Sequence, residues 1–145
     1  MKVRIFSFLF LGVLAMAADN PFVGTWKLDV SKSKFSPGPP PQSATVTVGA
    51  DNKVVYDATD SKGQKVTWSY TAVDGGTAMI DGLGEGASIT EMRKGDIVDH
   101  VWEIGKGKEN GHGVLSKDGK TMTYTLRGTD AEGKKINNKE IYEKQ

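Results

Sequence analysis

The strongest constraint on the fold is a repeated pattern of short alternating segments separated by turns, which runs from Gly24 to the C terminus. In the first segment Trp26, Leu28 and Val30 alternate with polar residues, a period of two that is typical of a β-strand with one buried face. We expect Trp26 to cover the apolar floor at one end of the folded sheet. Ten such segments predict ten strands, at residues 25–30, 43–48, 54–59, 64–73, 77–80, 87–93, 97–104, 112–116, 121–127 and 135–143.

The connections between these segments are rich in Gly, Asn and Asp, the residues that best tolerate the positive φ angles of tight hairpins. Most of the 18 glycines are assigned to such turns, including those at 82–86 and 105–111. No segment has the pattern of a long helix, and the short connections favour closure of the sheet over a sandwich. The sequence therefore predicts an all-β fold, an up-and-down antiparallel meander closed into a barrel of about eight to ten strands.

One connection departs from this pattern, the stretch at residues 31–43. It contains Pro37, Pro39, Pro40 and Pro41. Proline cannot donate a backbone hydrogen bond to a sheet and favours an extended path. We interpret the stretch as a rigid connector that crosses one end of the barrel. The alternative is a proline-rich ligand for a partner domain.

The N terminus carries the pattern of a signal peptide. Two basic residues precede an apolar stretch at 5–14, and a small-x-small cleavage pattern follows at 15–17. The apolar stretch is too short to span a bilayer, which requires about 20 residues. We therefore predict a signal peptide at residues 1–17, a periplasmic or secreted location, and no stable membrane insertion. The alternative is an uncleaved N-terminal anchor.

Composition narrows the possible functions. The chain has no cysteine, which removes disulfides, thiolate metal sites and cysteine nucleophiles. Without Lys2 and Arg4 of the leader, 17 of the 19 basic residues remain against 18 acidic ones, a formal charge of −1 that does not favour nucleic acid. Two histidines make a metal site improbable, and no Gly-x-Ser-x-Gly motif is present. We expect a monomeric protein that is not an enzyme and has no catalytic residue, metal or cofactor.

The alternation also predicts which side chains face the interior. Seven of them could contact a ligand inside the barrel: Trp68, Tyr70, His100, Trp102, Tyr124, Glu140 and Tyr142. A buried carboxylate such as Glu140 needs a hydrogen-bond donor or a proton, and either His100 or a tyrosine hydroxyl could supply it. His100 is either a core histidine with one satisfied hydrogen bond or, with Glu140, a group that orients a polar ligand head.

Several motifs resemble those of known barrel proteins. The stretch "FVGTWKL" (22–28) resembles the opening of the calycins, that is, lipocalins and fatty-acid-binding proteins, and "IYEKQ" (141–145) is similar to the last strand of the latter. The combination of "GTWKLDVSKSKFSPGPPP", "SKDGKTMTYTLRGTDAEGK" and "YEKQ" resembles small exported bacterial lipocalin-like proteins. The resemblance implies a lipocalin-like β-barrel domain over residues 18–145.

The chain departs from the fatty-acid-binding proteins in two places. The proline-rich stretch is too short for their helix-turn-helix lid. The Arg-x-Tyr motif with which they hold a ligand carboxylate corresponds here to Glu140 and Tyr142. Since an acid replaces the arginine, we expect a carboxylate ligand to be repelled and a hydrogen-bond donor or cation to be preferred.

Two functions remain open. The first is an exported lipocalin-like barrel that binds a small apolar or amphipathic molecule. The second is a protein-interaction or inhibitor module of the same fold with a filled interior, because six aromatic residues could occupy the space: Trp26, Tyr56, Trp68, Tyr70, Trp102 and Tyr124. A hollow interior would favour the first function.

Overall fold

The computed structural model describes residues 19–145 of the chain. The predicted signal peptide, residues 1–17, lies outside the described residues. Within residues 19–145, no helix is long and apolar enough to cross a membrane.

Ten β-strands form the structure, together with one short 3-10 helix at Val30–Lys32. The strands are β1 Gly24–Leu28, β2 Ser43–Val48, β3 Lys53–Thr59, β4 Lys65–Thr71, β5 Gly76–Met79, β6 Ser88–Lys94, β7 Ile97–Ile104, β8 Gly107–Leu115, β9 Thr121–Thr129 and β10 Lys135–Lys144. The predicted all-β fold is confirmed.

The strands form one antiparallel meander whose ends meet. Each strand pairs with its neighbours in the chain, except that β4 and β5 form no ladder with each other. Because β1 also pairs with β10, the sheet order is β4-β3-β2-β1-β10-β9-β8-β7-β6-β5. Between the two edge strands, Ser69 of β4 and Asp81, which follows the end of β5, exchange two backbone hydrogen bonds of 3.0 and 2.9 Å. The result is a nearly closed barrel, as predicted.

The prediction for β8 was wrong at its N-terminal end. The sequence assigned 105–111 to a turn and began the strand at His112, whereas β8 begins at Gly107. All other strand boundaries lie within two residues of the predicted ones. Gly105 lies in a turn, as predicted. Gly107, Gly111 and Gly113 belong instead to the inner face of a strand, because they are buried while Lys108, Asn110 and His112 are exposed.

The core is built on the inner faces of the strands. Trp26 on β1 is fully buried, as expected, and its Nε1–H donates a 2.8 Å hydrogen bond to the backbone oxygen of Phe22. The Nζ of Lys144 lies 5.3 Å from the centre of the Trp26 ring. A second apolar cluster inside the barrel includes Ile89, which is also fully buried. Both clusters leave room between them, and this room is the candidate site.

The proline-rich stretch packs against the barrel. Asp29 follows the last residue of β1. Its carboxylate accepts a 3.1 Å hydrogen bond from the backbone N–H of Lys32 and so caps the 3-10 helix. Further on, Lys34 and Lys139 of β10 exchange two backbone hydrogen bonds of 2.7 and 2.8 Å. Phe35 is half-buried beside the core. These contacts hold the stretch alongside β10 and against the core. Its role as a rigid connector stays a prediction.

Candidate ligand cavity

A cavity of about 370 Å³ lies inside the barrel and is lined by side chains from nine of the ten strands. Its wall is mainly apolar and aromatic. The Trp68 ring stacks on Tyr56, with 4.7 Å between the ring centres and 8° between the planes. The Trp102 ring meets Trp68 edge to face, with centres 5.2 Å apart. The aromatic residues therefore line the interior without filling it.

All seven residues predicted to face the interior line this cavity: Trp68, Tyr70, His100, Trp102, Tyr124, Glu140 and Tyr142. The side-chain alternation of β4, β7, β9 and β10 was therefore read correctly from the sequence. Their role as ligand contacts stays a prediction.

Tyr124 and His100 form a hydrogen-bonded chain across the cavity wall. The Nδ1 of His100 lies 2.9 Å from the Tyr124 hydroxyl, and its Nε2 lies 3.1 Å from Oε2 of Glu91. Trp102 donates its Nε1–H to the same tyrosine hydroxyl at 2.9 Å. A neutral His100 with its hydrogen on Nε2 satisfies these contacts, because the tyrosine then donates to Nδ1 and Nε2–H donates to the glutamate.

Two glycines of β8 leave the space that the Tyr124 ring occupies. A Cβ atom at Gly111 would lie 2.5 Å from Cζ of Tyr124, and one at Gly113 would lie 3.2 Å from Cδ2 of the same ring. Both distances are shorter than ordinary van der Waals contact. The tyrosine ring therefore lies directly against the glycine backbone, which brings its hydroxyl to His100.

The sequence did not identify Glu91 and Arg93, which also face the cavity from β6. Glu91 is 5% exposed and accepts a 3.1 Å hydrogen bond from the Tyr70 hydroxyl in addition to the His100 contact. The Nε of Arg93 lies 3.0 Å from Oε1 of Glu91, but its N–H is not aligned for a hydrogen bond. Glu91 therefore has a cationic neighbour inside the barrel. The sequence did contain a signal for them, because Glu91 and Arg93 are two and four residues after the apolar Ile89 and so lie on the same face of the strand.

Glu140 has a different environment. It accepts hydrogen bonds from the Tyr142 hydroxyl at 2.8 Å and from the side-chain amide of Asn138 at 3.3 Å. Burial raises the pKa of Glu140, while these two hydrogen bonds act in the opposite direction. The donor predicted for Glu140 is thus a tyrosine hydroxyl. The alternative donor, His100, is wrong, because the register places its ring beside Glu91.

Glu109 on β8 is a further carboxyl on the cavity wall that the sequence placed in a turn. Burial, with smaller contributions from the charges of Asp130 and Glu140, raises its pKa from 4.5 to about 7. Tyr56 lies in the same wall, and burial followed by the charge of Glu140 raises its pKa to about 12.

The titratable side chains of the cavity do not form a metal centre. Within the part of the chain that the structure describes, no group of three or more His, Asp or Glu side chains could hold a metal ion. The polar groups can therefore accept and donate hydrogen bonds to an organic ligand, and the apolar wall can pack against its hydrocarbon part.

No protein-family model and no curated protein matches the sequence. Solved structures match the fold. The fatty acid binding protein of Schistosoma mansoni, in complex with arachidonic acid, is 13% identical, with a TM-score of 0.54 over 88% of this chain and 98% of that protein. The wild-type fluorescent protein UnaG is 13% identical, with a TM-score of 0.53 over 86% of this chain and 97% of UnaG. Such a likeness establishes the calycin-like barrel fold alone.

Proposed function

We propose that this chain is an exported, lipocalin-like barrel that binds a small apolar or amphipathic molecule in its interior. The observation that carries the proposal is the cavity of about 370 Å³, which combines an aromatic wall with a few inward-facing polar groups. A cavity of that size matches the lower range of small-molecule pockets, and this composition is typical of them. Both similar structures are also barrels, and one of them holds a fatty acid.

The alternative function, a protein-interaction or inhibitor module, rested on a filled interior. The aromatic side chains stack against the walls instead and leave the cavity open. Of the two functions, ligand binding therefore agrees better with the interior.

We propose a binding protein rather than an enzyme. Burial raises the pKa values of Tyr70 and Tyr124 far above the ordinary range, so neither phenol supplies an ionised nucleophile. The proposed export and the periplasmic or secreted location rest on the leader at residues 1–17. We also propose that the mature chain is a monomer.

Ligand binding can be tested with a fluorescent apolar probe and a matched pair of variants. Leu126 lines the cavity, whereas the neighbouring Arg127 is exposed on the outer face of β9. We expect Leu126→Trp to fill the cavity and weaken probe binding at least about tenfold. Arg127→Trp, which adds the same side chain outside, should leave binding unchanged. Circular dichroism of each variant verifies that the barrel is folded.

Two outcomes would contradict the proposal. If the wild-type protein binds no apolar probe, the interior is not a binding site and the interaction module becomes the better function. If folded Leu126→Trp binds the probe as tightly as wild type, the probe binds outside the barrel. Native mass spectrometry of protein purified from its own host is the complementary experiment, because a natural ligand would appear as a co-purified mass.

A further inference from the structure

A second hollow of about 280 Å³ lies between the proline-rich stretch and the barrel. Its lining consists of Leu28, Phe35, Pro39, Pro41, Tyr56, Asp60, Ser61, Asn138 and Glu140. We call this space the outer chamber. Tyr56 and Glu140 line both the outer chamber and the main cavity, so the two spaces adjoin at these residues.

The outer chamber is acidic and partly aromatic. Two of its nine lining residues, Asp60 and Glu140, are carboxylic acids, and none is Lys, Arg or His. The Oδ1 of Asp60 accepts 2.8 Å hydrogen bonds from the backbone N–H groups of Lys62 and Gln64. Its Oδ2 has no hydrogen-bond partner among the described residues. The half-buried rings of Phe35 and Tyr56 complete the wall.

Two of the three carboxyls that line the main cavity, Glu91 and Glu140, differ in their charge partners. Glu91 has the guanidinium of Arg93 at 3.0 Å and the imidazole of His100 at 3.1 Å. Glu140 has only the neutral donors Tyr142 and Asn138, and no ion pair of the described residues includes it. Glu140 is therefore, with Glu109, a cavity acid that has no cationic partner among the residues that the structure describes, and it is the one of the two that also lines the outer chamber.

We propose that the ligand is a cationic amphiphile, whose ammonium group occupies the outer chamber near Asp60 and Glu140 while its hydrocarbon part enters the main cavity past Tyr56. This inference rests on the proposed function, since it specifies the ligand of the same barrel. A positive charge near two carboxylates gains Coulomb energy, and the electron-rich faces of Phe35 and Tyr56 attract cations. Tyr56 and Glu140 line both spaces, so a ligand that occupies both would contact these two residues.

The test displaces the fluorescent apolar probe with alkyl chains of equal length that end in trimethylammonium, hydroxyl or carboxylate. We expect the ammonium compound to compete about tenfold more strongly than the alcohol, and the carboxylate to compete least. Asp60→Asn keeps the Oδ1 acceptor of the turn and removes only the charge, so the ammonium-to-alcohol ratio should fall several-fold. Glu140→Gln should reduce the same ratio.

A matched control for the charge is Asp51→Asn. Asp51 also accepts a backbone hydrogen bond in a hairpin, from the N–H of Lys53 at 3.0 Å, but it lies outside both cavities. The ammonium-to-alcohol ratio of Asp51→Asn should equal that of the wild type.

If the alcohol and the carboxylate compete as well as the ammonium compound, the head-group inference is wrong while ligand binding stands. If Asp51→Asn lowers the ratio as much as Asp60→Asn, the effect is one of net charge and the outer chamber is not the site. A protein that binds no probe would refute the proposed function itself.

Discussion

Gly111 is the residue whose substitution tests the interior most directly. It lies on the inner face of β8, and a Cβ atom there would lie 2.5 Å from Cζ and 3.2 Å from Cε2 of Tyr124. The ring cannot keep its position against an alanine. Gly111→Ala should therefore push the Tyr124 hydroxyl away from both His100 and Trp102.

The cost follows from two contributions. Forcing extra volume into a packed interior costs about 1–3 kcal/mol. The displaced hydroxyl also leaves Nδ1 of His100 and Nε1 of Trp102 without a partner, and an unsatisfied buried polar group costs about 1–3 kcal/mol. The two costs do not add fully, because the surrounding side chains relax and reduce both. We expect Gly111→Ala to lower the free energy of unfolding by about 3–5 kcal/mol. That loss is a large part of the stability of a small domain.

Denaturant melts followed by tryptophan fluorescence measure this difference. Asn110→Ala, at the exposed neighbouring position of the same strand, is the control and should change stability by no more than about 0.5 kcal/mol. In a Tyr124→Ala background the ring is gone, so the added methyl should cost under about 1 kcal/mol. A loss below about 1 kcal/mol in the wild-type background, or an equal loss in both backgrounds, would refute the steric argument.

Three further predictions concern the core, a buried acid and the leader. Trp26→Ala should lower stability by roughly 3–5 kcal/mol in a denaturant melt, since the ring is fully buried, and a change under about 1 kcal/mol would show an exposed residue. The pKa of Glu109 rises from 4.5 to about 7, so the native state holds this proton and the wild type loses stability relative to Glu109→Gln as pH rises through that range. Because Glu109 is partly exposed, we expect the stability difference between the two proteins to reach only about 1 kcal/mol. A difference that does not change with pH would contradict this prediction. N-terminal sequencing of exported protein should begin at Ala18; intact Met1 in that material would exclude cleavage.

The sequence predicted the barrel and its inner face because alternation is a local property. Tight hairpins join the strands, so the apolar positions of each strand lie on the same face of the sheet as those of the strand before it. Trp68, Trp102 and Tyr124 all point inward for this reason.

Predictions from the sequence were wrong where one residue type can serve two structural roles. Glycine marks turns, and so residues 105–111 were assigned to one, but Gly111 and Gly113 are needed for the close approach of the Tyr124 ring. Glu91 and Arg93 were missed because charged residues on an inner face interrupt the apolar pattern. The contacts of Glu91 with Arg93, Tyr70 and His100 compensate for its burial, and these contacts appear only in the folded structure. Which acid lies beside the His100 ring depends on the register of β6 and β7, which no local pattern specifies.

Glu140 relates the stability of the barrel to its proposed ligand. Burial raises the pKa of this carboxyl, so its ionised form destabilises the empty protein at neutral and higher pH. Glu140→Gln retains an acceptor for Asn138 and removes the charge, and we expect the empty variant to be more stable than the wild type, by a margin that grows with pH. The same variant should lose its preference for the ammonium compound, because a bound cation would offset the cost of the carboxylate only in the wild type. Thermal melts with and without the ammonium compound measure both effects. A variant that is less stable when empty, and is stabilised as much as wild type by the ammonium compound, would show that Glu140 serves the packing of the barrel and not the recognition of a cation.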